Sequence, residues 1–166
     1  LVGGEMDNSG AGATWTFTRS GSTWTQLGPK VTPSDEGNNN GGGRFGAAVA
    51  LSSDGDLAVI AASRDFTGSS NTGAAWKFTR SGSTWSQQAK LAAKVGEESA
   101  VGTFGESVAL GVLGNTALIG APSDSGSNGA AWVFTRSGSI WTQQGGKITG
   151  TGGSTEARFG SSVALS

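Results

Sequence analysis

The chain has 166 residues, a mass of 16.5 kDa and a net charge of −1, with 14% of residues charged. That is the size of one domain, and the charge argues against a nucleic-acid-binding surface or a polybasic membrane patch. Cysteine and histidine are absent, which excludes disulfides and thiol nucleophiles and removes the commonest general base and the commonest metal ligand.

The chain is built from repeats. Trp-x-Phe-Thr-Arg-Ser-Gly-Ser-x-Trp occurs at Trp15–Trp24, Trp76–Trp85 and Trp132–Trp141, and these strings hold all six tryptophans. Phe-Gly-x-x-Val-Ala-Leu begins at Phe45, Phe104 and Phe159. In chain order, Leu1–Trp15 aligns without gaps on Leu118–Trp132, so the first residues read as the second strand of a unit. The Trp15–Trp24 string reads as a hairpin; a three-residue turn would send Trp24 to the other face, and a two-residue Ser20-Gly21 turn is favoured. This register sets Phe17 opposite Trp24 and puts Trp15, Phe17 and Trp24 on one face. Asn38–Gly43 is expected to be a flexible connector. Phe45 starts a first strand, and Leu57–Ala62 is an apolar second strand, covered on both faces. The Trp76–Trp85 hairpin follows, and Gln87–Val95 reads as strand plus connection. The third copy is the most complete: Phe104–Leu110, Thr116–Ala121, Ala130–Arg136 and Ile140–Ile148 each read as a strand. Phe159–Leu165 is a further first strand. No segment has a helical period, and no apolar run approaches the roughly 20 residues that span a bilayer, so no membrane insertion is expected.

These elements predict an all-β fold: a β-propeller of three four-stranded antiparallel blade repeats, circularly permuted by one strand. A three-fold β-prism or β-trefoil is the alternative. Residues 1–166 form a single repeat domain, with units of about 1–44 plus 159–166, 45–103 and 104–158. Three blades are fewer than the usual four to eight. The expected resolutions are a homodimer closing a six-bladed ring, an excised piece of a longer repeat protein, or head-to-tail assembly into a fibre. The dimer is favoured.

Phe104-Gly105, Val108-Ala109-Leu110, Leu118-Ile119-Gly120-Ala121-Pro122 and Gly129-Ala130-Ala131-Trp132-Val133-Phe134 resemble an FG-GAP repeat. This is the blade unit of integrin α-subunit heads and of many bacterial secreted or surface proteins, and the bacterial branch is the closer likeness. The resemblance implies a β-propeller used for adhesion, ligand binding or scaffolding, at an extracellular or cell-surface location. Many such repeats bind calcium through an aspartate-rich loop. Here the corresponding loops are Ser52–Asp56, with two carboxylates, and Gly111–Asn115, with none, so both read as tight turns. No metal or other cofactor is expected.

The candidate ligand-binding residues are the repeated ones. Asp7, Asp65 and Asp124 follow the second strand of each unit, as binding carboxylates or as Asx-turns. Trp15, Trp76 and Trp132 read as core. Trp24, Trp85 and Trp141 lie on the outermost strand, where an aromatic face can stack on a sugar. Arg19, Arg80 and Arg136 stand at the hairpin tips, to meet an acidic partner or to guard a strand edge. Asp35-Glu36 and Glu97-Glu98 read as solvated loop charges. The expected function is a non-catalytic secreted or surface module that binds a glycan or a surface protein. The alternative is a structural protein that assembles by strand exchange.

Overall fold

The computed structural model describes residues 1–37, 42–67, 70–99 and 101–166. Unit 1 comprises β1 (Val2–Gly4), β2 (Ala13–Trp15), β3 (Phe17–Ser20) and β4 (Thr23–Gln26). Unit 2 comprises β5 (Phe45–Leu51), β6 (Leu57–Ala62), the short hairpin β7 (Phe66–Thr67) and β8 (Ser70–Asn71), then β9 (Ala74–Ser81) and β10 (Thr84–Leu91). Unit 3 comprises β11 (Ser107–Leu110), β12 (Thr116–Ala121), β13 (Ala130–Ser137) and β14 (Ile140–Gln143). The sheets run β5-β6-β9-β10 and β11-β12-β13-β14, antiparallel throughout. Unit 1 repeats the pattern as the pairs β1-β2 and β3-β4, without an inner strand. Among the described residues the sheets close no ring. Of the connector expected at 38–43, residues 38–41 lie outside the described residues.

Packing between units explains the composition of the strands. Every residue of β6 is buried, because one face of unit 2 meets unit 1 and the other meets unit 3. Ile60, Trp76 and Phe78 face unit 1, in a cluster that reaches Val31 and Leu1. Leu57, Val59, Ala61, Ala75 and Leu91 face unit 3, against Ile119, Trp132 and Phe134. Phe45 lies edge-on to Trp76 and Phe78, and Phe104 lies edge-on to Trp132 and Phe134, with ring centroids 5.4–6.0 Å apart.

The repeated Phe-Gly pair fixes how each unit docks on the one before. Phe45 and Phe104 bridge to Gly12 and Gly73, whose φ values are near +85°, and a Cβ on either glycine would sit 2.1 Å from the phenylalanine carbonyl oxygen. Only glycine allows both the left-handed backbone and that approach.

Two expectations need correction. The hairpin turns are Gly21-Ser22, Gly82-Ser83 and Gly138-Ser139, one residue later than predicted. Each glycine has φ +60° and the serine does not, the pattern of a two-residue turn with glycine first. Trp24 therefore faces Arg19, and Phe17 faces Gln26. Trp15, Phe17 and Trp24 still share a face, because the shift is two residues across the pair.

The second correction concerns Phe159–Leu165, which forms no strand and does not complete unit 1. Phe159 bridges to Gly129, and Ser107 Oγ donates to the Gly160 carbonyl at 2.7 Å. The segment thus docks on unit 3 as Phe104-Gly105 docks on unit 2. It has no strand beside it to pair with, so no ladder forms. Two four-residue helical turns, Asp7–Gly10 and Asp124–Ser127, have left-handed central residues and act as loop corners.

Candidate functional site

Asp7, Asp65 and Asp124 do hold equivalent positions, but they turn inward. Asp65 and Asp124 are completely buried. Lys90 Nζ lies 2.6 Å from Asp65 Oδ2, and Lys147 Nζ lies 2.6 Å from Asp124 Oδ2. Lys30 pairs with Asp7 in the same way, at a more exposed place. The Oδ1 atoms take backbone amides from the incoming linker: Gly37 N–H on Asp65 at 2.7 Å and Ser99 N–H on Asp124 at 2.8 Å. Asp124 is therefore no Asx-turn; its carboxylate ties the linker into unit 3 to the lysine that follows β14. The three lysines stand at one repeat position, before Val31, Leu91 and Ile148, and that recurrence is the signal in the sequence that could have revealed them.

The linker acids are not free loop charges, which corrects the reading of Asp35-Glu36 and Glu97-Glu98: Asp35 is exposed yet hydrogen-bonded, and the other three are partly buried. Asp35 Oδ1 accepts Trp76 Nε1–H at 2.7 Å and Gln87 Nε2–H at 2.6 Å. Glu97 Oε2 repeats this with Trp132 Nε1–H and Gln143 Nε2–H, at 3.2 and 2.6 Å. The fully buried indoles of Trp76 and Trp132 thus have their polar edges satisfied by linker carboxylates.

Glu36 and Glu98 sit deeper. Burial first, and Asp65 second, push the Glu36 carboxyl up to about 7 against the backbone N–H bonds of Phe45 and Gly43 and the charge of Lys90. Burial also leads for Glu98, where it is opposed by the Phe104 N–H and Lys147 and reinforced by Asp124, and the carboxyl rises to about 8. For Asp124, burial would raise the value, but the Lys147 and Ser99 hydrogen bonds, the Ser125 hydroxyl and the Lys147 charge outweigh it and hold it below the ordinary 3.8.

The pH dependence follows. The folded chain keeps a proton on Glu98 that the unfolded chain loses near 4.5, so stability falls as pH rises from there through about 8. Asp124 acts in the opposite sense and loses its contribution as pH drops below 3.8. Denaturant melts at pH 5 and pH 9 should show Glu98→Gln flattening the alkaline fall, and an unchanged fall would refute the assignment.

The outer hairpins gather the remaining candidates. Trp24 faces Arg19, Trp85 faces Arg80 and Trp141 faces Arg136 across each turn. The Arg80 guanidinium lies 6.0 Å from the Trp85 ring centroid and is held by Asp56 at 2.7 Å and by the Gly55 and Gly82 carbonyls. Trp24 is 64% exposed. Trp85 and Trp141 are half-buried against the preceding unit, and Trp85 Nε1 donates to Thr16 Oγ1 at 2.8 Å. Trp76 and Trp132 are fully buried as expected, whereas Trp15 is half-buried because no unit covers its face. The aspartates and the outer tryptophans do not converge on one pocket. Among the described residues, no group of three or more carboxylates could hold a metal ion, and no helix is long and apolar enough to cross a membrane.

Residues 85–134 match the family model of the FG-GAP repeat. No curated protein matches the chain. The match runs from the outer strand of unit 2 to Phe134 on β13. It takes in the Phe104-Gly105 docking pair, the buried strand β12 and the Glu97, Glu98 and Asp124 linker lock. Residues 85–134 are thus similar to an FG-GAP repeat, and that stretch holds residues that clamp unit 3 to unit 2.

Proposed function

We propose that the chain is a non-catalytic module, exposed outside the cell, that binds a glycan or a surface protein through the open tryptophan face of unit 1. The observation that carries this is Trp24, 64% exposed and paired across the hairpin with Arg19, with Val2 and half-buried Trp15 and Phe17 on the same face. An exposed indole beside a guanidinium suits stacking on a sugar ring with a polar edge. A glycan array probed with the chain and with Trp24→Ala tests the reading. Glycan signals that fall at least about tenfold in the variant are expected. A signal that Trp24→Ala leaves intact would remove this face from the function.

A second reading has a specific observation behind it. The faces of units 2 and 3 that correspond to the Trp15 face are covered by the back of the preceding unit, and Phe159-Gly160 waits on unit 3 as Phe104-Gly105 does on unit 2. In this reading, unit 1 of one copy stacks on unit 3 of another, as a homodimeric ring or an open fibre. Native mass spectrometry should then show particles heavier than 16.5 kDa that are lost on deleting Phe159–Ser166. Assembly that survives the deletion would reject strand exchange.

A further inference from the structure

We propose that units 2 and 3 form between them a binding site for a carboxylate-bearing ligand, made by the Lys77 ammonium, the Trp141 Nε1–H and the Arg136 guanidinium. This does not rest on the glycan or adhesion reading. It comes from comparing the two unit boundaries position by position.

At the boundary of units 1 and 2, the outer-hairpin donors of Trp85 and Arg80 both have acceptors. Trp85 Nε1 donates to Thr16 Oγ1 at 2.8 Å, and Arg80 is paired with Asp56 at 2.7 Å. At the boundary of units 2 and 3, the repeat puts Trp141 in the place of Trp85 and Lys77 in the place of Thr16. It also puts Arg136 in the place of Arg80 and Asn115 in the place of Asp56. The structure keeps these equivalences: Arg80 N–H bonds the Asp56 carbonyl and Arg136 N–H bonds the Asn115 carbonyl, both at 2.8 Å. Two acceptors have been exchanged, one for a cation and one for a neutral amide.

The donors are left without protein acceptors. Trp141 Nε1 is buried and has no hydrogen-bond partner. Lys77 is 3% exposed, on the face of unit 2 against which Trp141 packs. Among the described residues, neither Lys77 nor Arg136 makes an ion pair. Burial, then the like charge of Arg136, pushes the Lys77 ammonium below its ordinary value.

The buried Trp141 N–H is costly unless something accepts from it. A cation is repelled, and a neutral hydroxyl leaves two positive charges uncompensated. A carboxylate fits the set: its two oxygens match the guanidinium fork, with the ammonium and the indole N–H as further donors.

Acetate is the probe. In thermal melts, sodium acetate is compared with sodium chloride at equal ionic strength. Acetate should raise Tm saturably, by about 3–6 °C at ten times its Kd, where chloride does not. Lys77→Thr restores the acceptor found at Thr16, so it should abolish the acetate response and raise Tm without acetate. Arg136→Gln, at an exposed position, should weaken acetate about tenfold. The proposal is overturned if acetate and chloride act alike on the unmodified chain, or if Lys77→Thr responds like it. Should Lys77→Thr not fold, an unchanged acetate affinity in Arg136→Gln overturns it as well.

Discussion

Replacing Asp124 with alanine is expected to destabilise the fold by about 3–5 kcal/mol, the cost of breaking a buried, hydrogen-bonded ion pair from one side. The carboxylate is fully buried and serves Lys147, the Ser99 N–H and the Ser125 hydroxyl together. Removing it strands a lysine and an amide, and it releases the linker that carries Glu97 to the Trp132 indole. Asp7→Ala is the internal control. The Asp7–Lys30 pair is exposed, and such pairs contribute about 0–1 kcal/mol. Urea denaturation of both variants decides the matter: equal losses would mean that the buried position confers no special role. Asp124→Asn, which preserves shape, should fall between them.

Trp132→Ala is expected to cost a similar amount, about 3–5 kcal/mol, whereas Trp24→Ala should stay within about 0.5 kcal/mol. Both residues belong to the same repeated string. Trp132 is fully buried between units 2 and 3, edge-on to Phe104, with its N–H on Glu97. Trp24 stands in solvent. The contrast separates the tryptophans that build the stack from the one left free to meet a ligand. A loss at Trp24 comparable to that at Trp132 would show that its face is covered in solution, which favours assembly over ligand binding.

The local chemistry was legible in the residues. Alternation and glycine punctuation marked the strands, and the unalternating apolar run Leu57–Ala62 marked a strand covered on both faces. The Ser-Gly-Ser tip marked a two-residue turn, although its position depended on which residue takes the positive φ, and glycine takes the first place of the two.

The site was less legible, because its partners are distant in the chain. Asp124 meets Lys147 and Ser99, and Asp35 meets Trp76, only once a linker has folded back over the next unit. Loop carboxylates are solvated by default, and nothing local shows which of them take fixed partners.

The repeat, the all-β class and the residues that each unit contributes were thus readable from the chain alone. Those follow from spacing and side-chain period, which are local properties. Only the tertiary structure decided which charges are buried and which tryptophan is exposed. It also decided that Phe159 docks on unit 3, and that Lys77 is buried at the repeat position where Thr16 accepts from an indole. Those depend on what each face meets when one unit stacks on another, and contact between units sets burial, pairing and electrostatics together.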